Sequence, residues 1–343
     1  VSHYVPEGSW LDLEAYRRGT SVYFPERAVP MLPERLSNGL CSLRPEVPRL
    51  TVSVFLDVDR NGEIVDRRFA TSWIRSARRM TYGEVARLLE HPLPGDEAEY
   101  GDVVPMLGRA DALRGLLLRR RLGGGSLDLD LPEVELTLDD GGRVSAIEPA
   151  ERTVAHRLIE EFMIAANEAV AAELWAREAP AIHRVHDPPG EQAYEELRSA
   201  LAAVGYTLPG DLESLSPEPF QRLLGKVEGK PIQTLVSGLV LRAMQRAVYR
   251  ADGAGHFALA LRHYAHFTSP IRRYPDLVVH RQLKKALAGG DLDGSDLAAR
   301  LDRIAAHTST TERRAERAER ELRKWKKVRF LGDRLGETFS GTI

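Results

Sequence analysis

Strand patterns precede helix patterns along this chain, and this order constrains the fold more than any other feature of the sequence. Apolar residues alternate with polar ones from Val52 to Val58, Asn61-Gly62 suits a tight turn, and a second alternating stretch runs from Glu63 to Phe69. The same arrangement recurs at 134–138 and 143–147, joined by an Asp-Asp-Gly-Gly turn. Each pattern predicts an antiparallel hairpin.

Helical periodicity dominates from about Thr153 onward. The spacing of apolar residues predicts helices over 80–91, 105–122, 153–175, 190–204, 217–225, 233–250, 277–288 and 296–331. The first 50 residues carry many prolines, which exclude a long helix there. Strands followed by helices indicate an α+β fold with an antiparallel or mixed sheet. The regular strand–helix alternation and glycine motif of a dinucleotide-binding fold are missing.

Composition limits the classes of protein to which the chain can belong. Its 343 residues include 48 Lys and Arg against 50 Asp and Glu, so a surface basic all over is excluded, whereas a basic channel is not. No apolar run approaches the roughly 20 residues that cross a bilayer. The single cysteine, Cys41, fits a reducing compartment. We therefore expect a soluble, cytoplasmic protein that has no membrane partner.

The segment from His266 to Asp276 is the most unusual in the chain, because two prolines and two adjacent arginines lie within eleven residues. Thr268 or Ser269 is suited to cap a helix with Pro270 in its first turn, and the second proline forces a second helix start. Free backbone N–H groups beside Arg272 and Arg273 would form an anion site suited to phosphate. A kinked helix whose arginines pair with carboxylates explains the spacing equally well.

A long basic and acidic run extends from Glu312 to Arg329. A seam at helical spacing predicts that most of this charge is a solvated helix face. This seam comprises Ile304, Thr308, Thr311, Ala315, Ala318, Leu322 and Trp325. Glu312 and Glu319 lie close to the seam, seven residues apart, and are the exceptions that we expect to face inward.

Other candidate residues have weaker support from the pattern alone. Tyr23 lies in a loop held by prolines, where an aromatic ring either stacks on a base or lodges in the core, and the core is the usual outcome. The histidine pairs His183 with His186 and His263 with His266 lack a third ligand, which makes a zinc site a weak interpretation.

Five stretches occur in the order characteristic of one enzyme family. They are GTSVYFPERAVPMLPERLSNGLCSL at 19–43, RLIEEFMIAANEAVA at 157–171, RVHDPP at 184–189, GHFALALRHYAHFTSP at 255–270 and HFTSPIRRYPDLVVHR at 266–281. Together they resemble the RNB catalytic domain of the RNase II/RNase R exoribonucleases, and the segment RRYPDL is closer to the RNase R branch. The resemblance covers essentially the whole chain.

The resemblance implies processive 3′-to-5′ hydrolysis of single-stranded RNA to nucleoside 5′-monophosphates, with Mg²⁺ as the cofactor and a monomeric enzyme. It implies a mixed or antiparallel sheet, or a barrel, surrounded by helices, with RNA threaded into a deep channel. It also implies an RNB domain at 1–334 and, at 335–343, the first strand of a C-terminal OB-fold. The alternative is a catalytically silent RNA-binding module of the same family.

The resemblance assigns roles to individual residues. Tyr23 matches the tyrosine that packs on the 3′-terminal nucleotide and determines the length of the final product. Arg272 matches the arginine that binds phosphate near the scissile bond, and Glu319 matches a glutamate that accepts a hydrogen bond from a ribose hydroxyl. We expect Tyr23, Arg272 and Glu319 to be the catalytic set. The expected RNA contacts further include Tyr264, His266, Ser269 and Arg273.

The magnesium ligands are the main departure from the family pattern. In the family they form an aspartate cluster of the type DxxDxDDA, upstream of the strand that ends in the sequence of Val1 to Val5. We therefore expect no metal ligand in this chain and place the family aspartates upstream of Val1.

Overall fold

The computed structural model describes residues 1–128, 134–209, 215–290, 295–332 and 334–338. Within them, helices surround four separate antiparallel strand pairs. The strands are β1 (Val22–Tyr23), β2 (Ala28–Val29), β3 (Pro48–Val58), β4 (Ile64–Arg75), β5 (Val134–Leu138), β6 (Val144–Pro149), β7 (His183–Val185) and β8 (Val248–Arg250). The α-helices are α1 (Trp10–Arg18), α2 (Tyr82–Glu90), α3 (Asp96–Tyr100), α4 (Val103–Gly123), α5 (Val154–Ala176), α6 (Glu191–Ala203), α7 (Glu218–Val227), α8 (Gln233–Ala243), α9 (Tyr274–Leu287) and α10 (Ser295–Gly332).

Both predicted hairpins are present. In the first, β3 and β4 pair from Pro48 opposite Arg75 to Val58 opposite Ile64, so the ribbon is longer than the alternating pattern indicated. Gly62 adopts a positive φ of 87° in its turn, which a residue without a Cβ accepts readily. The α+β class with antiparallel strands is confirmed. The described strands do not close into a barrel, the alternative form of the prediction.

The proline-rich N-terminal region contains more helix than the sequence pattern suggested. Ser9 caps α1 by accepting a hydrogen bond from the Asp12 backbone N–H, and Gly19 follows the helix with a φ of 72°. A π-helix spans Arg35–Leu40. The Asp12 carboxylate is buried and accepts a hydrogen bond from the Tyr274 hydroxyl at 2.9 Å. This contact holds α1 against the start of α9.

The helix predicted over 233–250 is wrong in its second half. Helix α8 ends at Ala243, and residues 248–250 form β8, which pairs with β7. The backbone N–H of Tyr249 also donates to the Ser309 hydroxyl on α10 at 2.9 Å. Pairing with these distant partners replaces the helical hydrogen bonds that the local pattern favoured.

Among the described residues, buried apolar side chains form three clusters. One joins the N-terminal segment to α9 and α10, the second lies among α6, α7 and α8, and the third lies between α5 and α9. Val52, Val54 and Phe69 of the β3–β4 ribbon pack against the third cluster. Helix α9 contributes to two of the clusters and therefore has a rigid frame on both sides.

The C-terminal end of the chain bears on two expectations. Of the strand expected at 335–343, residues 339–343 lie outside the described residues, and residues 334–338 form a turn and coil. The domain boundary near residue 334 stays a prediction. Among the described helices, none is long and apolar enough to cross a membrane.

Candidate functional site

The turn at Ser269–Arg273 leads directly into α9. The backbone N–H groups of Arg272 and Arg273 both donate to the Ser269 carbonyl oxygen at 3.1 Å, and α9 begins at Tyr274, the second of the two expected starts. The Asp276 carboxylate is fully buried and accepts the Ser269 N–H at 2.7 Å. The N–H groups of Ser269, Arg272 and Arg273 therefore have partners within the protein, so these two arginines can bind an anion only through their side chains.

The two adjacent arginines have different surroundings. Arg273 donates through Nε and a terminal nitrogen to the two Asp276 oxygens, each at 2.8 Å, so its charge is compensated inside the protein. The Arg272 side chain is exposed, and within the described part of the chain it has neither a hydrogen-bond partner nor an ion-pair partner. Arg273 therefore pairs with a carboxylate, as the alternative interpretation of this segment expected. Of the two arginines, Arg272 is the one whose charge is not compensated.

The backbone of Arg272 is joined to the segment that carries Tyr23. Its carbonyl oxygen accepts the Ser21 N–H at 2.9 Å and the Thr20 hydroxyl at 3.1 Å, while the Tyr274 N–H donates to the Gly19 carbonyl oxygen at 2.9 Å. Residues 19–21 and 272–274 thus run side by side, although about 250 residues separate them in sequence.

Tyr23 does not lie in the core. Its side chain is 45% exposed at the end of β1, and its backbone N–H donates to Glu319 Oε1 of α10 at 2.6 Å. Tyr23 and Arg272 line the same cavity of about 630 Å³, together with Ser269. The structure therefore brings all three residues of the expected catalytic set into one region.

A second cavity, of about 350 Å³, adjoins the first and shares Thr268 and Arg272 with it. Its lining includes three further expected RNA contacts, namely Tyr264, His266 and Arg273. Burial lowers the pKa of His266 well below its ordinary value of 6.5, so the ring is neutral at physiological pH. Burial likewise raises the pKa of Tyr264.

Hydrogen bonds fix the rings of this second cavity. The Tyr249 hydroxyl bonds His266 Nδ1 at 2.9 Å, and the Asn167 side-chain amide donates to the Tyr264 hydroxyl at 3.1 Å. Arg184 donates to Glu312 at 2.6 Å and lies over the Tyr249 ring, 4.6 Å from its centroid. A network satisfied in this way holds the cavity wall in one geometry.

Sequence reasoning missed several of these residues. Asn167, Arg184, Tyr249 and Asp276 were not candidates, whereas the inward direction expected for Glu312 and Glu319 is what the structure shows. A buried polar residue inside the apolar face of α5 was the available signal for Asn167. The i,i+3 spacing from Arg273 was the available signal for Asp276. The partners of Arg184 and Tyr249 lie far away in sequence, so no local pattern marks these two residues.

The described residues do not fit a magnesium pair. No group of three or more His, Cys, Asp and Glu side chains that could hold a metal ion occurs among them. Among the described residues, the first cavity has no carboxylate in its lining and the second has only Glu160. Two magnesium ions would require several carboxylate ligands close to the reacting phosphate.

Comparison with known proteins gives one consistent result. The model of the RNB domain matches residues 1–289. Ribonuclease R of Aquifex aeolicus is 46% identical over 343 residues, which is all of this chain and 48% of that protein. Ribonuclease R of Thermotoga maritima is 43% identical and is covered to 49%. The chain thus spans about half the length of these curated relatives.

The solved structures agree with the sequence comparison. The apo form of Mycoplasma genitalium RNase R superposes with a TM-score of 0.93 at 31% identity, covering 100% of this chain and 54% of that one. The same enzyme in complex with ribose-methylated single-stranded RNA gives a TM-score of 0.92 with the same coverage. Yeast Ssd1, described as a pseudonuclease, shares the fold at 21% identity, with a TM-score of 0.75 over 94% of this chain and 39% of that one.

Proposed function

The chain belongs to the RNB-domain family of ribonucleases, and from this membership we propose that the protein is a 3′-to-5′ exoribonuclease. It hydrolyses single-stranded RNA to nucleoside 5′-monophosphates. The observation that carries the proposal is the pairing of an uncompensated arginine, Arg272, with the Tyr23–Glu319 contact around one cavity. A cation for phosphate and an aromatic ring for the terminal base are thereby placed together.

Arg272 acts on the phosphate next to the scissile bond. Because its guanidinium has no carboxylate partner within the described residues, its charge is available to phosphate oxygens. The fixed backbone of the 269–273 turn limits the positions that the guanidinium can reach. A charge positioned in advance stabilises the negative charge that grows on phosphate during hydrolysis.

Tyr23 and Glu319 hold the 3′-terminal nucleotide. The exposed Tyr23 ring offers a stacking surface for the last base, and this contact is tolerant of sequence because every base has a π-face. One oxygen of Glu319 is occupied by the Tyr23 N–H, and its second oxygen accepts a hydrogen bond from a ribose hydroxyl. A contact to the 2′-hydroxyl would distinguish RNA from DNA.

The second cavity receives the nucleotides upstream of the scissile bond. Neutral aromatic and imidazole rings at Tyr264 and His266 suit stacking and hydrogen bonding, and Ser269 lies in the lining of the first cavity. Arg273 contributes through its shape and its fixed position, because Asp276 compensates its charge.

Magnesium dependence is part of the proposal, although the described residues lack a suitable set of ligands. Bound magnesium would supply activation of the attacking water and stabilisation of the leaving oxygen, but no cluster among the described residues would hold it. The support for magnesium is the family resemblance alone, and the roles given above to Arg272, Tyr23 and Glu319 do not depend on it. We further propose that the enzyme acts in the cytoplasm as a monomer with single-stranded RNA as its partner.

A catalytically silent RNA-binding module is the second candidate function. It is favoured by one observation, the lack of a carboxylate cluster around the two cavities in the described part of the chain. Such a module would keep the phosphate and base contacts and would bind RNA in a salt-sensitive manner, because each phosphate contact releases counterions.

The test uses the protein at its full natural length with a 5′-labelled single-stranded RNA, in magnesium and in EDTA. The exonuclease proposal requires a ladder that collapses to one short product only in magnesium. Salt-sensitive binding without shortening in either buffer would establish the silent module instead. Tyr23→Ala should lengthen the limit product, and an unchanged product would remove Tyr23 from the site.

A further inference from the structure

The side chain of Lys326 on α10 is almost completely buried, with only 5% of it exposed. Lysine is among the residues least often found buried, since removing an ammonium group from water is costly without partners. Lys326 has two partners. Its Nζ donates to the Gly142 carbonyl oxygen at 2.6 Å, and it forms an ion pair with Glu26.

Glu26 lies at the tip of the β1–β2 hairpin that carries Tyr23. The tip is closed by hydrogen bonds in both directions between Phe24 and Arg27, at 3.0 and 3.2 Å. The hydrogen bond from Lys326 lowers the pKa of the Glu26 carboxyl group, so this group is ionised at neutral pH. The tip is therefore held by charge against α10, through a lysine that also contacts the β5–β6 turn.

The β1–β2 hairpin has only two paired residues on each strand, Val22 opposite Val29 and Tyr23 opposite Ala28. A two-stranded hairpin of this size is not stable alone in water. Its position therefore depends on attachments: at its base, Ser21 donates to the Arg272 carbonyl oxygen, and in its middle, Tyr23 donates to Glu319. Lys326 supplies the third attachment, at the tip.

The attachments on α10 are arranged with a regular spacing. Glu319 and Lys326 are seven residues apart, two helical turns, and so lie on one face of the helix at a separation of about 10.5 Å. Two points of contact with one rigid helix fix both the position of the hairpin along α10 and its angle to that helix. A hairpin held only at Ser21 and Tyr23 would be free to pivot at its tip.

We propose that Lys326 is a positioning residue that holds the Tyr23 ring at a defined distance from Arg272 and thereby determines the length of the final product. This inference rests on the proposed function, in which Tyr23 stops the 3′ end. Lys326 acts through Glu26 and lines neither of the two cavities. Loss of its charge releases the hairpin tip, lets Tyr23 move away, and leaves room for at least one more nucleotide in the terminal product.

The test compares limit products of the full-length protein in magnesium, using 5′-labelled single-stranded RNA. Lys326→Met should lengthen the limit product by at least one nucleotide, and Glu26→Gln, which removes the same ion pair from its more exposed side, should do likewise. Lys326→Arg keeps a cation within reach of Glu26 and Gly142 and should restore the short product. The neighbouring Lys327→Met is the matched control, with the wild-type product expected.

A double variant separates this inference from a general loss of fold. If Lys326 acts through Tyr23, Tyr23→Ala with Lys326→Met gives the same product as Tyr23→Ala alone. A wild-type product from both Lys326→Met and Glu26→Gln, beside a longer product from Tyr23→Ala, overturns the inference and leaves the role of Tyr23 intact. An unchanged product from Tyr23→Ala overturns both. Additive lengthening in the double variant also contradicts the inference.

Discussion

At the scale of single residues, two neighbouring arginines differ in how their charges are compensated. Arg272 keeps its charge free beside two cavities, whereas Arg273 gives its charge to the fully buried Asp276. The pairing holds the turn that carries Arg272. Under the proposed function, chemistry and stability are divided between these adjacent positions, which mutation can distinguish.

Arg272→Ala should reduce turnover by about 100- to 1000-fold, the usual loss when one positioned charge is removed from a reacting group. The melting temperature should stay close to wild type, because the side chain has no partner in the described part of the chain. Single-turnover kinetics and thermal unfolding measure the two effects. Near-normal turnover would contradict the role given to Arg272.

Arg273→Ala should lower the stability of the fold, which Arg272→Ala should leave close to wild type. It leaves the Asp276 carboxylate buried and without its cation, a change that typically costs about 3–5 kcal/mol of unfolding free energy. Urea unfolding of this variant beside Arg272→Ala makes the comparison. Equal stability of the two variants would show that the Arg273–Asp276 pair does not hold the turn.

At the scale of elements, one face of α10 organises the whole site. Glu312, Glu319 and Lys326 follow one another at intervals of seven residues and contact Arg184, the Tyr23 backbone and Glu26, respectively. A straight helix brings residues at this spacing to nearly the same side. Helix α10 therefore links the second cavity to the hairpin that carries Tyr23.

The close approach of α10 to the N-terminal segment predicts a severe effect of Gly19→Ala. Gly19 has a φ of 72°, and a Cβ there would lie 1.9 Å from the Thr311 Oγ1 atom of α10. Strain and overpacking together should cost at least about 3 kcal/mol of unfolding free energy.

Gly8→Ala is the matched control for this position. Gly8 has a similar φ of 75°, but nothing lies within 4 Å of the added Cβ, so backbone strain alone should cost about 1–2 kcal/mol. Chemical unfolding of both variants measures the difference. Equal losses would show that the contact between Gly19 and Thr311 is not tight.

At the scale of the whole molecule, several histidines are kept neutral by burial. Burial lowers the pKa of His183 to about 4, with a further contribution from His263, and lowers the pKa of His280 to about 4. The pKa of His256 falls to about 3 for the same main reason. These rings lie on different elements, so protonation affects the stability of the protein as a whole.

Stability should accordingly decrease as the pH falls from about 6.5 to about 4. In this window the unfolded chain binds protons at His183, His256 and His280 more readily than the folded protein does, which favours unfolding by up to about 1.4 kcal/mol per pH unit for each of these three histidines. The stabilising contribution is complete above the unfolded pKa of about 6.5. Unfolding free energies measured by urea titration across this range provide the test.

Two variants test whether buried histidines cause this pH dependence of stability. His183→Asn should flatten the decrease, because it removes one buried titrating ring. Replacing the exposed His91 by Gln should leave the slope as it is in wild type. If unfolding free energy fell with pH equally steeply in wild type and His183→Asn, His183 would not contribute to the pH dependence.

The amino-acid sequence by itself determined the elements with strong local patterns. The two hairpins, most helices and the inward direction of Glu312 and Glu319 follow from periodicity, because side-chain direction repeats within a few residues in each kind of element. The ordered motifs determined the family, which the matching relatives bear out. None of these results required knowledge of a distant contact.

Tertiary structure decided whatever depends on partners far apart in the chain. The predicted seam of α10 included Trp325, yet Trp325 is 54% exposed and Lys326 is buried, because Glu26 and Gly142 lie opposite Lys326. Strand β8 replaced the end of a predicted helix through pairing with β7. The position of Tyr23 depends on Glu319, 296 residues away. Local patterns report propensity, whereas burial and charge compensation are settled only when distant segments meet.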